Sequence, residues 1–217
     1  MMVRARVGLF GGTFDPPHLG HLILASEARH QLSLQRVLWV LTPTPPHKRR
    51  RTITSVVDRW EMLKRATAGD STFEISRLEM DRPGPHFTVD TVRLLAAHLP
   101  DADIVLLLGG DSLKDLPSWR RPHDLLGLCH LIGVMRRPGD AVDLPAMERE
   151  LPGVRAKVRV VDAPLLQIAS REIRERIRRG LPYRYYLPPA VFEYIQQETV
   201  YRRDVTQRKV SPSMQRR

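Results

Sequence analysis

The chain contains only one cysteine, Cys129, among its 217 residues. A single thiol can form neither an intrachain disulfide framework nor a zinc site built from several cysteines. Cys129 lies within the apolar run of residues 125–135, and apolar runs of this kind are mostly buried. We therefore expect a buried thiol with no chemical role.

Long apolar runs are also missing. Runs such as residues 104–108 stop far short of the roughly 18 to 20 residues that a membrane-spanning helix needs. Near the N-terminus, Asp15 and His18 follow closely on the apolar residues 7–10, which leaves no room for a secretory apolar segment of about 7 to 15 residues. We expect a cytoplasmic protein that has no contact with a membrane.

Aromatic residues make up only 6% of the chain, whereas 35 Lys and Arg against 24 Asp and Glu give a formal net charge of +11. Such a charge favours ligands that carry phosphate, including nucleotides and nucleic acids. A nucleic-acid-binding module remains an alternative, but the sequence has no helix-turn-helix signature, zinc finger or aromatic stacking platform. We therefore expect no specific nucleic-acid partner.

The basic residues are concentrated at the C-terminus. Residues 202–217 hold six basic side chains against the single acidic residue Asp204. The segment has no apolar periodicity after Val205, so it cannot bury enough surface to offset its chain entropy. We expect residues 1–201 to form one domain and residues 202–217 to form a basic, disordered tail.

Short β-rich runs alternate with longer helical patterns, which predicts an α/β fold with a mainly parallel sheet. The predicted strands are residues 3–10, 36–42, 73–78, 103–108, 130–135 and 157–161. The predicted helices are residues 19–31, a segment from a Thr54 or Ser55 cap to Gly69, and residues 88–99, 170–179 and 189–197. Residues 136–143 are a linker candidate.

The loop after the first predicted strand has the composition of an anion site. It reads Gly-Gly-Thr-Phe-Asp-Pro-Pro-His-Leu-Gly-His over residues 11–21, and ligands of such folds bind at the carboxyl ends of strands. Glycines let backbone amides approach a phosphate, and a helix beginning near Pro17 would add its N–H groups and the positive end of its dipole. We expect His18 and His21 to project toward the same anion, with Gly20 leaving space for the ligand.

Other familiar sites are not supported. The chain has no G-x-G-x-x-G dinucleotide fingerprint after this strand and no G-x-x-x-x-G-K-[ST] P-loop. Two histidines would need further ligands to hold zinc, and the one cysteine is remote in sequence. We therefore expect no protein metal site.

Residues 11–21 resemble the signature of the nucleotidyltransferase superfamily whose active-site motif is H/T-x-G-H, with matches at His18, Gly20 and His21. A second superfamily motif, Ile-Ser-Ser/Ala-Thr-x-x-Arg, resembles residues 168–174. Ser170 and Arg174 match this motif, whereas Ala169 and Arg171 depart from it. We expect Ser170 to cap the late helix and Arg174 to lie one turn on.

Further segments are similar to bacterial nicotinate mononucleotide adenylyltransferases, in order and at the expected intervals over about residues 5–201. They are PPHK at 45–48, FTVDT at 87–91, LGGDSL at 108–113 with Trp119 downstream, and YLP at 186–188 with Val191 and Tyr194. The resemblance implies a Rossmann-like, doubly wound sheet with helices on both faces and a small helical C-terminal part. It also implies adenylyl transfer from ATP to nicotinate mononucleotide, which gives deamido-NAD and pyrophosphate. Mg²⁺ is expected to arrive bound to ATP. The resemblance is compatible with a homo-oligomer.

The resemblance assigns roles to individual residues. Catalytic roles fall to His18, His21 and Arg174, and further ATP contacts to Gly11, Gly12, Thr13, Phe14, Gly20, Gly109, Asp111 and Ser170. On the acceptor side, Lys48 would meet the mononucleotide phosphate, Trp119 would stack on the pyridine ring, and Thr88 would lie where the nicotinate carboxylate is received.

Simpler readings of these residues stay open. Lys48 could belong to a solvated basic loop, Trp119 to the core, and Thr88, Thr91 and Asp111 to helix caps. A preference for nicotinamide mononucleotide and another H-x-G-H nucleotidyltransferase activity are the alternatives within the superfamily.

Overall fold

The structure is a computed structural model that describes residues 4–45, 53–135, 143–164 and 166–202. Six strands alternate with helices over this part of the chain. The strands are β1 (Ala5–Gly12), β2 (Arg36–Leu41), β3 (Phe73–Ser76), β4 (Ala102–Gly109), β5 (Leu131–Met135) and β6 (Val158–Val161). The helices are α1 (Leu19–Gln31), α2 (Val56–Thr67), α3 (Thr88–His98), α4 (Gly110–Lys114), α5 (Pro122–Leu128), α6 (Leu144–Glu150), α7 (Val154–Lys157), α8 (Ser170–Arg178) and α9 (Pro189–Gln197).

The strands form one parallel sheet in the order β3-β2-β1-β4-β5-β6. Val7 of β1 pairs with Arg36 on one side and with Ile104 of β4 on the other. The order therefore reverses between β1 and β4, which is the position where doubly wound folds bind ligands. The predicted Rossmann-like α/β fold is confirmed.

Helices cover both faces of the sheet because alternate strand residues point to opposite sides. In β2, Val37 and Trp39 pack on the side of α1, whereas Leu38 and Val40 pack on the side of α3 and α5. A third apolar cluster joins α2 to α8 and α9, with Ile173 among its fully buried members. This cluster is the small helical C-terminal part.

All six predicted strands and all five predicted helices are present, with bounds that differ by a few residues. The third strand ends at Ser76, and Ser55 caps α2 by accepting a hydrogen bond from the Asp58 N–H at 3.0 Å. That helix ends at Thr67 and not at Gly69. The helices α4 to α7 were not predicted, because each spans two turns or fewer and shows too little periodicity.

Some predictions fall on parts of the chain that lie outside the described residues. These are Lys48 with the rest of the basic segment 46–52, residues 136–142 of the proposed linker, and residues 203–217 of the tail. Asp143, at the end of the proposed linker, is described and caps α6 through a hydrogen bond from the Ala146 N–H. In the described ranges, no helix is long and apolar enough to cross a bilayer.

Candidate active site

A cavity of about 480 Å³ opens at the carboxyl ends of β1 and β4, where the strand order reverses. Every predicted site residue that the structure describes contributes to its lining. These residues are Gly11, Gly12, Thr13, Phe14, His18, Gly20, His21, Thr88, Gly109, Asp111, Trp119, Ser170 and Arg174. Residues more than 150 positions apart in the sequence therefore meet in one place.

The two histidines form a stacked pair at the start of α1. Their ring centroids are 3.7 Å apart and the ring planes differ by 26°. His18 is the N-cap residue and is only 3% exposed, and its backbone N–H donates to Nδ1 of His21 at 3.1 Å. The helix begins at Leu19, as the predicted bounds of 19–31 have it. His21 has a structural contact as well as a place in the cavity lining.

Gly20 makes room for His18. A Cβ atom at residue 20 would lie 3.2 Å from both Cε1 and Nδ1 of the His18 ring, which is tighter than ordinary van der Waals contact. Gly20 itself also lines the cavity. The glycine therefore permits the ring position of His18, and its role in leaving space for a ligand stays a prediction.

Phe14 folds back beneath the histidine pair. Its backbone is in the left-handed region, with φ of 46°, and its buried ring meets the His21 ring edge-on at a centroid distance of 5.2 Å. A Cβ at Gly12 would lie 2.8 Å from the Phe14 ring, so glycine is required there for packing. Phe14 thus packs against the His21 ring and supports it, a role that the sequence did not predict.

Asp15 connects this loop to the C-terminal part of the molecule. The residue is 4% exposed, and its Oδ1 accepts a hydrogen bond from the Tyr201 hydroxyl at 2.8 Å. Arg174 donates from Nη1 to the Asp15 backbone carbonyl at 2.5 Å, and the same nitrogen lies 3.8 Å from Oδ2. Burial, reinforced by the Asp15 carboxylate, raises the pKa of Tyr201 well above its ordinary value, so the hydroxyl remains a donor at neutral pH.

Ser170 and Arg174 are held by the same loop. Ser170 is the first residue of α8 and its hydroxyl donates to the Pro16 carbonyl at 2.9 Å, whereas the N-cap position belongs to Ala169. The prediction of Ser170 as N-cap is wrong, because its side chain bonds across to the first loop and not to its own helix. Arg174 lies one turn on, as expected, with its guanidinium anchored at the edge of the cavity.

The opposite wall of the cavity is built around the start of α3. Phe87 is the N-cap residue and makes no side-chain cap bond, and Thr88 is the first helical residue. The hydroxyl of Thr91 donates to Oε1 of the buried Glu79 at 2.5 Å. The readings of Thr88 and Thr91 as N-caps are therefore wrong.

Trp119 and Asp111 occupy the rim. Trp119 follows a 3-10 turn of residues 116–118 and is partly buried, with contacts to one apolar cluster and a face on the cavity. Asp111 lies in the first turn of α4, whose N-cap is Gly109. The reading of Asp111 as a helix cap is wrong, although a carboxylate in a first turn is favoured by the helix dipole.

Glu79 and His86 also line the cavity and were not predicted. Both side chains are almost completely buried, and burial lowers the pKa of His86. They lie in the irregular segment between β3 and α3, where no sequence periodicity or motif distinguishes a functional residue from a solvated one. In the described part of the chain, no group of three or more His, Cys, Asp or Glu side chains is placed to hold a metal ion.

Comparison with known proteins agrees with this geometry. A family model described as cytidylyltransferase-like matches residues 9–176. The chain is 45% identical over 198 residues to a protein of Thermomicrobium roseum named as a probable nicotinate-nucleotide adenylyltransferase, covering 91% of this chain and 92% of that protein. A protein of the same name from Desulfitobacterium hafniense strain Y51 is 40% identical over 198 residues, with coverage of 91% and 96%.

Solved structures agree on the fold. The nicotinic acid mononucleotide adenylyltransferase of Plasmodium falciparum in complex with NaAD superposes with a TM-score of 0.75 at 18% identity, covering 91% of this chain and 97% of that chain. A nicotinate-nucleotide adenylyltransferase described as putative, from Vibrio parahaemolyticus, gives a TM-score of 0.66. At this level of identity the likeness establishes the architecture.

The family model and the named relatives show that the protein is a nucleotidyltransferase. The chain belongs to the cytidylyltransferase-like family and, within it, to the group of nicotinate-nucleotide adenylyltransferases.

Proposed function

We propose that this protein transfers the adenylyl group of ATP to nicotinate mononucleotide, releasing pyrophosphate and forming deamido-NAD, a step of NAD biosynthesis. The observation that carries the proposal is the arrangement of one cavity: the stacked pair His18 and His21 faces it from one wall, and Thr88 and Trp119 line another. The relatives at 40–45% identity are named for this reaction.

The reaction requires no protein nucleophile. The 5′-phosphate oxygen of the mononucleotide attacks the α-phosphorus of ATP in line, and pyrophosphate leaves. A phosphate monoester has a second pKa near about 6 and is mostly dianionic at neutral pH, so no general base is required either. The protein has to align two polyanions and stabilise the charge that develops between them.

The ATP side of the site is the first loop with its helix. The N-terminus of α1 provides the positive end of the helix dipole, and His18 and His21 stack beside it. In the proposal, these groups and Arg174 compensate charge on the three phosphates, while the backbone of Gly11 and Gly12 approaches the nucleotide closely. Thr13, Phe14, Gly20, Gly109, Asp111 and Ser170 complete this half of the cavity.

Magnesium enters this scheme with ATP. The described residues offer no carboxylate cluster for a resident ion, and Mg²⁺ is commonly bound by substrate phosphates and water with few protein ligands. We therefore assign Mg²⁺ to the phosphate oxygens of ATP, as part of the substrate.

The acceptor side is the wall formed by α3 and the rim after α4. Trp119 offers a flat ring on which a pyridine base can stack. Thr88 stands at the first position of α3, where helix N–H groups favour a carboxylate. Lys48 is assigned to the mononucleotide phosphate on the strength of the PPHK motif.

The test measures pyrophosphate release by the purified protein with ATP, magnesium and, in separate reactions, nicotinate mononucleotide and nicotinamide mononucleotide. We expect turnover with the nicotinate compound and much slower turnover with the nicotinamide compound. Equal or faster turnover with nicotinamide mononucleotide would contradict nicotinate mononucleotide as the preferred acceptor. Absence of pyrophosphate with both, in a protein shown to bind ATP, would refute the reaction.

A further inference from the structure

Arg59, near the start of α2, is 1% exposed although it carries a guanidinium group. The group donates four hydrogen bonds, and all of them end on backbone carbonyls. Nε donates to Thr54 at 2.9 Å, Nη1 donates to Thr13 at 3.0 Å and to Thr42 at 2.8 Å, and Nη2 donates to Pro43 at 2.8 Å. One side chain therefore holds three separate segments of the chain.

Burying a guanidinium among neutral acceptors is unfavourable unless its hydrogen bonds are well made. Burial lowers the pKa of Arg59, and the Asp15 carboxylate offsets part of this effect. Because the guanidinium is planar, its donors point in fixed directions, and each carbonyl that accepts from it is fixed in direction as well. The arrangement is suited to holding backbone in place.

Two of the three segments that Arg59 holds contribute to the lining of the cavity. Thr13 belongs to the first loop, residues 11–18, which receives the ATP phosphates in our proposal. Thr42 and Pro43 belong to the second loop, residues 42–45, in which Thr42 and Pro45 line the cavity. A backbone hydrogen bond from the Thr42 N–H to the Gly12 carbonyl, at 2.9 Å, joins the same two loops, whereas Arg59 itself is not part of the cavity lining.

The hydrogen bond from Arg59 to the Thr13 carbonyl also affects the orientation of the next peptide group. The C=O and N–H of a trans peptide unit point in opposite directions. With the Thr13 carbonyl turned toward Arg59, the N–H of Phe14 is turned away from Arg59. Arg59 thus fixes the orientation of a peptide group in the loop that lines the cavity.

We propose that Arg59 is a positioning residue that sets the separation between the first loop, residues 11–18, and the second loop, residues 42–45, on the lining of the same cavity. The proposal rests on the function proposed above. In-line transfer requires the attacking oxygen to lie about 3 to 3.5 Å from the α-phosphorus, and a displacement of about 1 Å can lower the rate by about 10²-fold. A residue that fixes the two loops relative to each other therefore acts on turnover more than on the binding of either substrate alone.

The test compares Arg59→Lys with Leu63→Ala. Lysine keeps the charge but cannot make four bonds in the geometry of the guanidinium fork. Leu63 lies one helical turn further along α2, is fully buried in the cluster around Trp39 and packs against the sheet. Its truncation leaves a cavity that destabilises the same helix without loosening the loops. For each variant we would measure kcat, both KM values, the affinity for each substrate alone, and amide hydrogen exchange of residues 11–15 and of Thr42 and Thr44.

We expect Arg59→Lys to lower kcat by about 10²-fold, with smaller changes in the two separate affinities and faster exchange in both loops. Leu63→Ala should lower the melting temperature and leave kcat at 25 °C near the wild-type value. If Arg59→Lys does not fold unaided, trimethylamine N-oxide can restore the fold, and turnover should stay low in the refolded variant. Recovery of full turnover together with folding would reduce Arg59 to a stabilising residue and overturn the proposal.

The activity of the wild-type protein distinguishes failure of the proposed reaction from failure of the positioning role of Arg59. If the wild-type protein releases no pyrophosphate, adenylyl transfer is refuted. In that case the hydrogen exchange of the two loops still decides whether Arg59 holds them: unchanged exchange in Arg59→Lys would overturn its positioning role independently.

Discussion

The hydroxyl of Tyr201 donates a 2.8 Å hydrogen bond to Oδ1 of Asp15, although the two residues are 186 positions apart in the sequence. Asp15 belongs to the loop that carries the histidine pair, and Tyr201 follows the last helix, α9. The contact means that the C-terminal segment supports the loop on which the proposed ATP site is built. It also marks where truncation should begin to impair the protein.

Truncation on either side of Tyr201 should have different effects. We propose that residues 202–217 contribute nothing to the site, so deletion of residues 204–217 should leave kcat nearly unchanged. Deletion from residue 200 onward removes the bond to Asp15 and should lower both stability and turnover. Loss of activity in the shorter deletion, with the fold intact by circular dichroism, would show that the tail is part of the site.

The single substitution Tyr201→Phe isolates the hydrogen bond. It leaves the buried Oδ1 of Asp15 without its donor, which should lower the free energy of unfolding by about 1.5 to 3 kcal/mol because the acceptor is charged. Tyr185→Phe is the matched control, since Tyr185 is 86% exposed. Urea unfolding of both variants gives the comparison, and equal stabilities would contradict the role of Tyr201.

His21→Ala should lower kcat by roughly 10² to 10³, as removal of one preorganised donor typically does. The change in KM for ATP should be smaller, because the bond strengthens chiefly in the transition state. The structure adds a cost to folding: the His18 N–H loses its acceptor, which we expect to lower stability by about 1 kcal/mol. Initial rates and thermal unfolding measure the two effects separately.

Two further variants help to interpret the result for His21→Ala. His21→Asn keeps a donor at similar reach but cannot become cationic, so it should retain more activity than alanine if hydrogen bonding dominates, and no more if positive charge is required. His30→Ala, on the exposed side of the same helix, should behave as wild type. A folded His21→Ala variant with the wild-type rate at saturating substrates would exclude a catalytic role for this histidine.

Lys48→Ala and Trp119→Ala should weaken nicotinate mononucleotide and leave ATP binding nearly unchanged. The first removes a partner for phosphate and the second removes a stacking surface. Lys64→Ala and Trp60→Ala, both on α2 and outside the cavity lining, are the matched controls. Isothermal titration with each substrate tests the assignment, and equal loss of affinity for both substrates would indicate a structural role instead.

Cys129 should be unreactive in the folded protein. Burial raises the pKa of its thiol from 9.0 to about 12, and the thiolate is the reactive form. A thiol reagent at pH 8 should therefore modify the protein only after denaturation. Because the folded state keeps the proton that the unfolded state loses, this group should lower the free energy of unfolding as pH rises from about 9 toward 12. Rapid modification of the native protein would contradict the assignment.

The sequence was informative where a pattern repeats or a motif is long. Strand alternation and helix periodicity predicted all the long elements, and the eleven residues from Gly11 to His21 predicted the centre of the cavity. The short helices α4 to α7 were not predicted, since two turns or fewer give no usable period. Hydrogen bonds between distant segments were not predicted either, because nothing in the local sequence distinguishes Arg59 from the other arginines of such a basic chain.

Contacts in the folded chain give further reasons for three of the predicted residues. Gly12 was singled out for access to phosphate and Gly20 for leaving space for the ligand, and the atoms closest to a Cβ at these positions belong to Phe14 and His18. Ser170 was singled out as a helix cap, yet its hydroxyl bonds to Pro16. The two glycines are explained by side chains two residues away in the sequence, whereas Ser170 is explained by Pro16, which only the folded chain brings close.

The hold of Arg59 on the carbonyls of both Pro43 and Thr54 has a consequence for protein engineering. A segment whose two ends are fixed can change in length at little entropic cost, about 0.6 kcal/mol for each doubling. Residues 44–53 can therefore be treated as an interchangeable unit and replaced by the corresponding segment of a relative. Such grafts should leave the geometry of the sheet and of the histidine pair unchanged.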